Sequence, residues 1–273
     1  MNTTSSNASP SGAARKAQNS KAFEVLARVG YVVLGVLHFL IGAIAISISQ
    51  GSGGGEADQG GALAQIQQSP AGVFLLWAIV VGLAALAIWQ IAEAFLERNP
   101  DDKKKWAHRA KYLGTAVAYI AIASTAFVFA SGGSSESSDS SQSLSAQILA
   151  VPAGVVLLVV LGLGVAAVGV AFIVRGIGQK FMKHLAVPGG SVRKAVVALG
   201  VAGYVAKGIA IGVAGILFIV AAVTHDPEAA GGLDAALRSL TELPFGQIIL
   251  WVVGVGLALY GVFCFARARY STM

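Results

Sequence analysis

Residues 31–42, YVVLGVLHFLIG, decide the fold, because the same pattern occurs three times along the 273-residue chain. The second copy is residues 112–123, YLGTAVAYIAIA, and the third is residues 204–215, YVAKGIAIGVAG. In each copy four marked positions are spaced by four, three and four residues, which places them on one face of an α-helix. These positions are Tyr31, Gly35, His38 and Gly42; Tyr112, Ala116, Tyr119 and Ala123; and Tyr204, Gly208, Ile211 and Gly215. The small residues on this face predict close packing against a neighbouring helix backbone.

A second motif follows each copy and marks the start of a second apolar helix. The motif is Pro-x-Gly, and it begins at Pro70, Pro152 and Pro244. Proline is favoured in the first turn of a helix, where no N–H is needed. A short mixed segment precedes each motif, and we expect a short helix or turn on the membrane surface there. The repeat therefore predicts three tandem two-helix units.

Composition places these helices in a membrane. Of all residues, 56% are apolar and 12% are charged, and the mean hydropathy is +0.74. A soluble domain carries about 25% charged residues. Six apolar stretches are about as long as the roughly 20 helical residues that cross a bilayer. They are residues 28–49, 72–95, 112–130, 153–174, 199–223 and 245–266. The predicted fold class is an all-α polytopic membrane protein with six transmembrane helices.

The repeats also predict how the units are arranged. Because each unit has two spans, all three enter the membrane in the same orientation, related by an axis along the membrane normal. We therefore expect three parallel two-helix repeats in a pseudo-three-fold arrangement. The repeats are predicted at residues 22–98, 105–178 and 195–270. Residues 1–21 are polar and rich in Ser and Asn, which predicts a disordered cytoplasmic tail.

The charge distribution predicts the orientation in the membrane. Of the 19 Lys and Arg residues, 17 lie in the N-terminal tail, the connections between repeats and the adjoining helix ends. The opposite loops contain Arg238 and eight acidic residues. Because positive charge stays in the cytoplasm, both termini of this multi-pass protein are predicted to be cytoplasmic. We expect the basic side to meet anionic lipid headgroups rather than nucleic acid.

Three polar residues inside the spans are candidates for a central site. His38 lies about ten residues into its helix, close to the bilayer midplane, and Tyr119 occupies the same position in the second copy. A midplane imidazole can relay protons, or it can be a neutral group that hydrogen-bonds a phenol or a carbonyl. Lys207 can extend toward the headgroups or contact an anionic ligand between repeats. The sequence leaves these alternatives open.

A second candidate set lies near the basic end of the second helices. One equivalent position is Glu93, Arg175 and Arg267 in the three repeats. If the three side chains converge, a carboxylate between two guanidiniums forms a charge-assisted cluster. Otherwise they are ordinary interface charges.

The sequence does not favour catalysis. It contains no G-x-S-x-G elbow, P-loop or H-E-x-x-H spacing. Cys264 is the only cysteine, so no intramolecular disulfide forms, and no Cys or His partner stands at metal-ligand spacing. We therefore expect no enzymatic activity, no metal and no cofactor.

The tandem units resemble a bacterial family catalogued as domain of unknown function 1206. The residues that carry the resemblance are 28–31, 60–63, 70–77, 203–208 and 244–251. The middle copy departs most from the pattern, because Lys111 stands where the other copies have Gly30 and Gly203. The resemblance implies a bacterial inner-membrane protein and does not imply an activity.

Two functions are compatible with this sequence. The first is a structural or accessory membrane component that packs with lipid, with a membrane protein partner or with a second copy. The alternative is a small-solute or proton pathway through the centre of the three repeats. The surroundings of His38 and Tyr119 discriminate between them, because a seal of apolar side chains weakens the pathway hypothesis.

Overall fold

The computed structural model describes residues 21–52, 55–97, 101–135 and 137–271. Within these ranges the chain is helical, with short 3₁₀ turns at Lys180–His184, Pro227–Ala230 and Leu240–Glu242. The α-helices are α1 Lys21–Ser49, α2 Gln59–Gln67, α3 Gly72–Leu96, α4 Asp102–Ala130, α5 Ser137–Leu149, α6 Gly154–Ile177, α7 Ser191–Thr224, α8 Gly232–Ser239 and α9 Gly246–Tyr270. The tail predicted at 1–21 lies outside the described residues, apart from Lys21 at the start of α1.

Six helices in the described part of the chain are long and apolar enough to cross a bilayer: α1, α3, α4, α6, α7 and α9. This confirms an all-α multi-pass fold built from three two-helix repeats. The pseudo-three-fold arrangement stays a prediction. The end of the bundle where α1, α4 and α7 begin is called the basic end, and the opposite end is called the acidic end.

The three most extensive helix contacts join one repeat to the next. The second helix of each repeat packs on the first helix of the following one: α3 on α4, α6 on α7, and α9 back on α1. The marked small residues lie in these contacts. A Cβ atom added at Gly35 would lie 2.9 Å from the Gly261 carbonyl oxygen, and one added at Gly208 would lie 2.6 Å from that of Gly169. The repeated face therefore fixes contacts between repeats.

Contacts within a repeat are uneven. Helices α1 and α3 pack together, as do α7 and α9, but α4 and α6 make no comparable contact among the described residues. Gly30 allows the first of these contacts, since an added Cβ would lie 2.9 Å from the Gly82 carbonyl oxygen. Gly203 allows the contact of α7 with α9, since a Cβ added there would lie 2.6 Å from Tyr260 Cα.

The middle repeat lacks this close contact. Lys111 occupies the position of Gly30 and Gly203, and a Cβ added to Gly164, the counterpart of Gly82, meets nothing within 4 Å. The middle repeat thus has an α4–α6 opening, flanked by Lys111 and Gly164.

The proline of the Pro-x-Gly motif lies outside the helix, which corrects the expectation that it occupies the first turn. Helices α3, α6 and α9 begin at the glycine, two residues after Pro70, Pro152 and Pro244. The glycine N–H donates to the carbonyl of the residue before the proline, at 2.8–2.9 Å in each repeat. Proline therefore takes the second position of a β-turn, where its fixed φ is favoured.

The glycine of the motif is explained by the short helix before it. A short helix is present at each predicted place: α2, α5, and α8 with its 3₁₀ extension. A Cβ on Gly72, Gly154 or Gly246 would collide with the carbonyl group of Ile66, Ile148 or Leu240, respectively. The motif therefore folds the short helix tightly over the start of the next span.

At the acidic end, side chains of the short segments bond to the following repeat. Gln67 Nε2 donates to the Phe129 carbonyl oxygen at 2.9 Å, which joins repeat one to repeat two. Gln142 Nε2 donates to the Glu228 carbonyl oxygen at 3.2 Å, which joins repeat two to repeat three. The Ala57 N–H donates to Asp234 Oδ1 at 2.7 Å, which joins repeat three back to repeat one. These bonds close the acidic end in the same cyclic order as the helix contacts.

Candidate functional site

His38 and Lys207 meet inside the bundle. His38 is 6% exposed, and its Nδ1 lies 2.8 Å from the Leu34 carbonyl oxygen. Its Nε2 lies 2.8 Å from Lys207 Nζ. A carbonyl only accepts and a protonated amine only donates, so Nδ1 carries the proton and Nε2 accepts. His38 is therefore the neutral tautomer, and both ring nitrogens are bonded.

Of the two partners considered for a neutral His38, a carbonyl or a phenol such as that of Tyr119, the structure shows the carbonyl. Leu34 and Lys207 take both ring nitrogens of His38, which leaves none for the phenol of Tyr119. Tyr119 instead lies where the charge of Arg267 acts on it. The structure thus brings His38 and Lys207 together.

Lys207 is held among aromatic rings rather than extended to the headgroups. Its Nζ lies 4.6 Å from the centroid of Tyr260 and 5.2 Å from that of Phe172. Tyr260 also packs on His38, with ring centroids 4.8 Å apart. Such ring faces attract an ammonium group. Lys207 nevertheless remains half-buried rather than sealed.

Arg267 lies further toward the basic end on α9. Its Nη2 donates to the Tyr31 hydroxyl at 3.1 Å, and its guanidinium lies 4.4 Å from the Tyr31 ring centroid. The convergence of Glu93, Arg175 and Arg267 stays a prediction. Glu93 and Arg175 both act electrostatically on Tyr112, whereas Arg267 is directed to Tyr31.

A polar column connects these groups along the bundle. We define it by Lys207, His38, Tyr260, Cys264, Arg267 and Tyr31. Tyr260, Cys264 and Arg267 follow one another at spacings of four and three on α9, a rise of about 10 Å. Cys264 is buried and lies in the field of both Lys207 and Arg267. The column therefore runs from the basic end to about the middle of the spans.

Apolar side chains close the column toward the acidic end. One to three turns beyond His38 and Tyr260, the core side chains are at most 3% exposed: Ile41, Leu250, Val253 and Leu257. In contrast, Tyr31 and Arg267 at the other end are only half-buried. The column is therefore a blind site and not a continuous path across the bundle.

Basic side chains gather where the column meets the α4–α6 opening. We call Lys111, Arg175, Arg267 and His184 the basic rim. Burial, together with the positive charges of Arg175, Arg267, Lys111 and Lys183, lowers the pKa of His184 below its usual value. Arg175 and Arg267 also act on Lys111, and Glu97 offsets part of this charge. The rim is thus a region of concentrated positive potential.

Sequence reasoning singled out Lys207, His38 and Arg267 but did not predict the arrangement of the column. Neither Lys207 nor Arg267 has an Asp or Glu within salt-bridge distance among the described residues. Tyr31 contacts Arg267, and Tyr260 contacts Lys207. The sequence feature that points to Tyr260 is its position on α9, one turn from Gly256 on the helix face that ends at Arg267. The column therefore contains two cationic groups, Lys207 and Arg267, beside aromatic side chains.

Comparison with known proteins agrees with this architecture. The family described as Domain of Unknown Function (DUF1206) matches the chain three times, at residues 29–97, 110–179 and 202–271. The chain is 30% identical over 252 residues to "Uncharacterized protein YxxB" of Bacillus subtilis (strain 168), with 90% of each chain covered. No solved structure matches. The three family matches fall on the three two-helix units, as the resemblance in the sequence implied. The chain therefore belongs to the family described as Domain of Unknown Function (DUF1206) and carries three tandem copies of its domain.

Proposed function

We propose that the protein is a non-enzymatic accessory component of the bacterial inner membrane that holds an anionic phospholipid headgroup at its basic rim. The observation that carries this proposal is the position of Lys111. It stands where the other repeats use a packing glycine, so the same residue opens the α4–α6 pair and places a cation at the opening.

The electrostatics of the rim support an anionic ligand. Lys111 and His184 both lie in the positive fields of Arg175 and Arg267. Like charges held close together are unfavourable unless an anion compensates them. Phosphate suits this role because guanidinium groups bind it through paired N–H donors. If both termini are cytoplasmic, the rim faces the anionic leaflet of the membrane.

A lipid-exchange measurement tests the proposal. We expect Lys111→Gln to reduce the preference of the purified protein for phosphatidylglycerol over phosphatidylcholine roughly tenfold, the effect of losing one charged hydrogen bond. Native mass spectrometry of protein in mixed-lipid nanodiscs measures this preference. Lys104→Gln is the matched control, because the Lys104 side chain lies at the same end and is 70% exposed. Equal preferences in the two variants would contradict the proposal.

The proposed orientation has its own test. On a Cys264→Ser background, we expect cysteines at Ser52, Ser134 and Glu228, which are all exposed at the acidic end, to react with an impermeant maleimide on intact cells. Cysteines at the exposed positions Lys104 and Ala186 should react only after lysis. The opposite labelling pattern would place the termini outside.

The pathway through the centre is the second candidate. The 2.8 Å contact between Lys207 and His38 favours it, because two titratable groups in contact can pass a proton. Among the described residues, the layer directly beyond them is apolar and does not continue the path. We therefore rank it second, and proton entry into proteoliposomes faster than into empty vesicles would raise it above the accessory role.

A further inference from the structure

We infer that the polar column is a binding site for the carboxylate of a small organic acid, with Lys207 as its principal ligand. This inference goes beyond the proposed phospholipid site at the rim and does not depend on it. It starts from the charge balance in the column. Arginine stays protonated in proteins, so Arg267 keeps its charge inside the bundle. Neither Arg267 nor Lys207 has a carboxylate within salt-bridge distance among the described residues.

The contacts that these cations do make are neutral. Lys207 bonds to neutral His38, and Arg267 bonds to the Tyr31 hydroxyl. Neither contact supplies negative charge. A cation held within a membrane span is costly without a counter-charge, and such residues mark ligand or ion sites. Lys207 lies outside the basic rim, and its missing counter-charge is therefore assigned to an anion bound in the column.

The donors in the column have capacity left for that anion. An ammonium carries three N–H donors and a guanidinium carries five. Lys207 uses one donor on His38, and Arg267 uses one on Tyr31. Both side chains remain half-buried, whereas His38, Tyr260 and Cys264 around them are buried.

The shape and walls of the column indicate the kind of anion. Apolar residues border the column toward the acidic end, and the column shares Arg267 with the basic rim at the other end, so a ligand would enter from the rim. The rings of Phe172, Tyr260 and His38 surround Lys207. Ring faces suit an apolar or aromatic body beside the charged group. A monocarboxylate with such a body fits both requirements, whether it is soluble or is the head of a single-chain lipid.

Paired probes that differ only in charge test the site. Benzoate should raise the unfolding temperature of the purified protein, and benzamide, its neutral isostere, should not. Lys207→Met should weaken benzoate binding at least tenfold, while Lys207→Arg keeps the charge and should bind within about threefold of the parent, since tenfold corresponds to about 1.4 kcal/mol. Equal stabilisation by benzamide, or unchanged binding in Lys207→Met, would overturn the inference.

Palmitate and acetate distinguish the source of the carboxylate. Stabilisation by palmitate alone that is lost in Lys207→Met would support a single-chain lipid acid, and stabilisation by benzoate or acetate would support a soluble acid. Failure of all the carboxylates would overturn the site. Lys207→Met should keep the preference for phosphatidylglycerol, and Lys111→Gln should keep a carboxylate site, so the two proposals fail separately.

A measurement on the unaltered chain covers the case in which the Lys207 variants do not fold. Cys264 is the only cysteine, is 1% exposed and lies in the field of both cations. Benzoate in the column should slow the reaction of Cys264 with a small methanethiosulfonate, and benzamide should not. The same reaction rate with both compounds would overturn the inference.

Discussion

Replacing Gly42 with leucine should prevent α1 from docking on α9 and cause the largest loss of stability of any single substitution considered for this chain. A Cβ atom on Gly42 would lie 2.5 Å from both the Ala258 nitrogen and the Gly254 carbonyl oxygen. Both are backbone atoms and have no rotamer to change. Overpacking a tight core costs about 1–3 kcal/mol when side chains can move, and the cost here should exceed about 3 kcal/mol because the helices must separate. Thermal unfolding in detergent and the yield of monodisperse protein measure the effect.

Gly164→Leu is the matched control for this substitution. Gly164 also lies within a transmembrane helix, but an added Cβ there meets nothing within 4 Å. Leucine is a better helix former than glycine by about 0.5–1 kcal/mol. The control should therefore unfold at the parent temperature or slightly above it. Similar losses in Gly42→Leu and Gly164→Leu would mean that the close helix contact is not what holds α1 in place.

The contrast between these two glycines shows how far the sequence predicts the fold. The spacing of Gly35 and Gly42 predicts a packing face, and the composition predicts that the helix crosses the membrane. The same spacing does not say which helix will lie against the face. That choice depends on the connections at the acidic end, where the short segments bind the next repeat. Local periodicity therefore does not predict which helices pack against each other.

The candidate site was only partly predictable for a related reason. Lys207 aligns with Leu34 of the first repeat, and His38 aligns with Ile211 of the third. The two side chains therefore occupy positions one helical turn apart in their repeats, and the long lysine side chain spans the difference to reach His38 at 2.8 Å. A comparison of equivalent positions pairs His38 with Tyr119 and misses this contact. Pairing between unequal positions requires the relative heights of the helices, which only the structure supplies.

Lys111 illustrates the opposite case. The sequence identifies it as the departure from Gly30 and Gly203, but the physical consequence depends on the contacts of those glycines. Because both glycines lie against the second helix of their own repeat, a long side chain at this position separates α4 from α6. The residue that breaks the pattern thus forms both the opening and part of the basic rim.

Replacing Asp234 with alanine should release the link that joins the third repeat to the first at the acidic end. Asp234 is 7% exposed; its Oδ1 accepts the Ala57 N–H at 2.7 Å and its Oδ2 accepts Arg238 Nε at 2.7 Å. Arg238 in turn donates to the Gly55 carbonyl oxygen at 2.9 Å. The substitution leaves a buried N–H without its acceptor and an arginine without its anion. The expected cost is about 3 kcal/mol, measured as a lower unfolding temperature.

Asp226→Ala separates this link from the general effect of losing an aspartate. Asp226 also accepts a backbone N–H, that of Glu228 at 3.0 Å, but it does so in an exposed turn and within one repeat. Its loss should cost about 1 kcal/mol, as for a helix cap. If the link acts as a unit, adding Arg238→Ala to Asp234→Ala should cost little more than Asp234→Ala alone, because the arginine has already lost its anion. Additive losses of stability in the double variant, or equal losses for Asp234→Ala and Asp226→Ala, would show that the cyclic closure at the acidic end does not depend on Asp234. In that case the helix contacts at Gly42 close the bundle without this link.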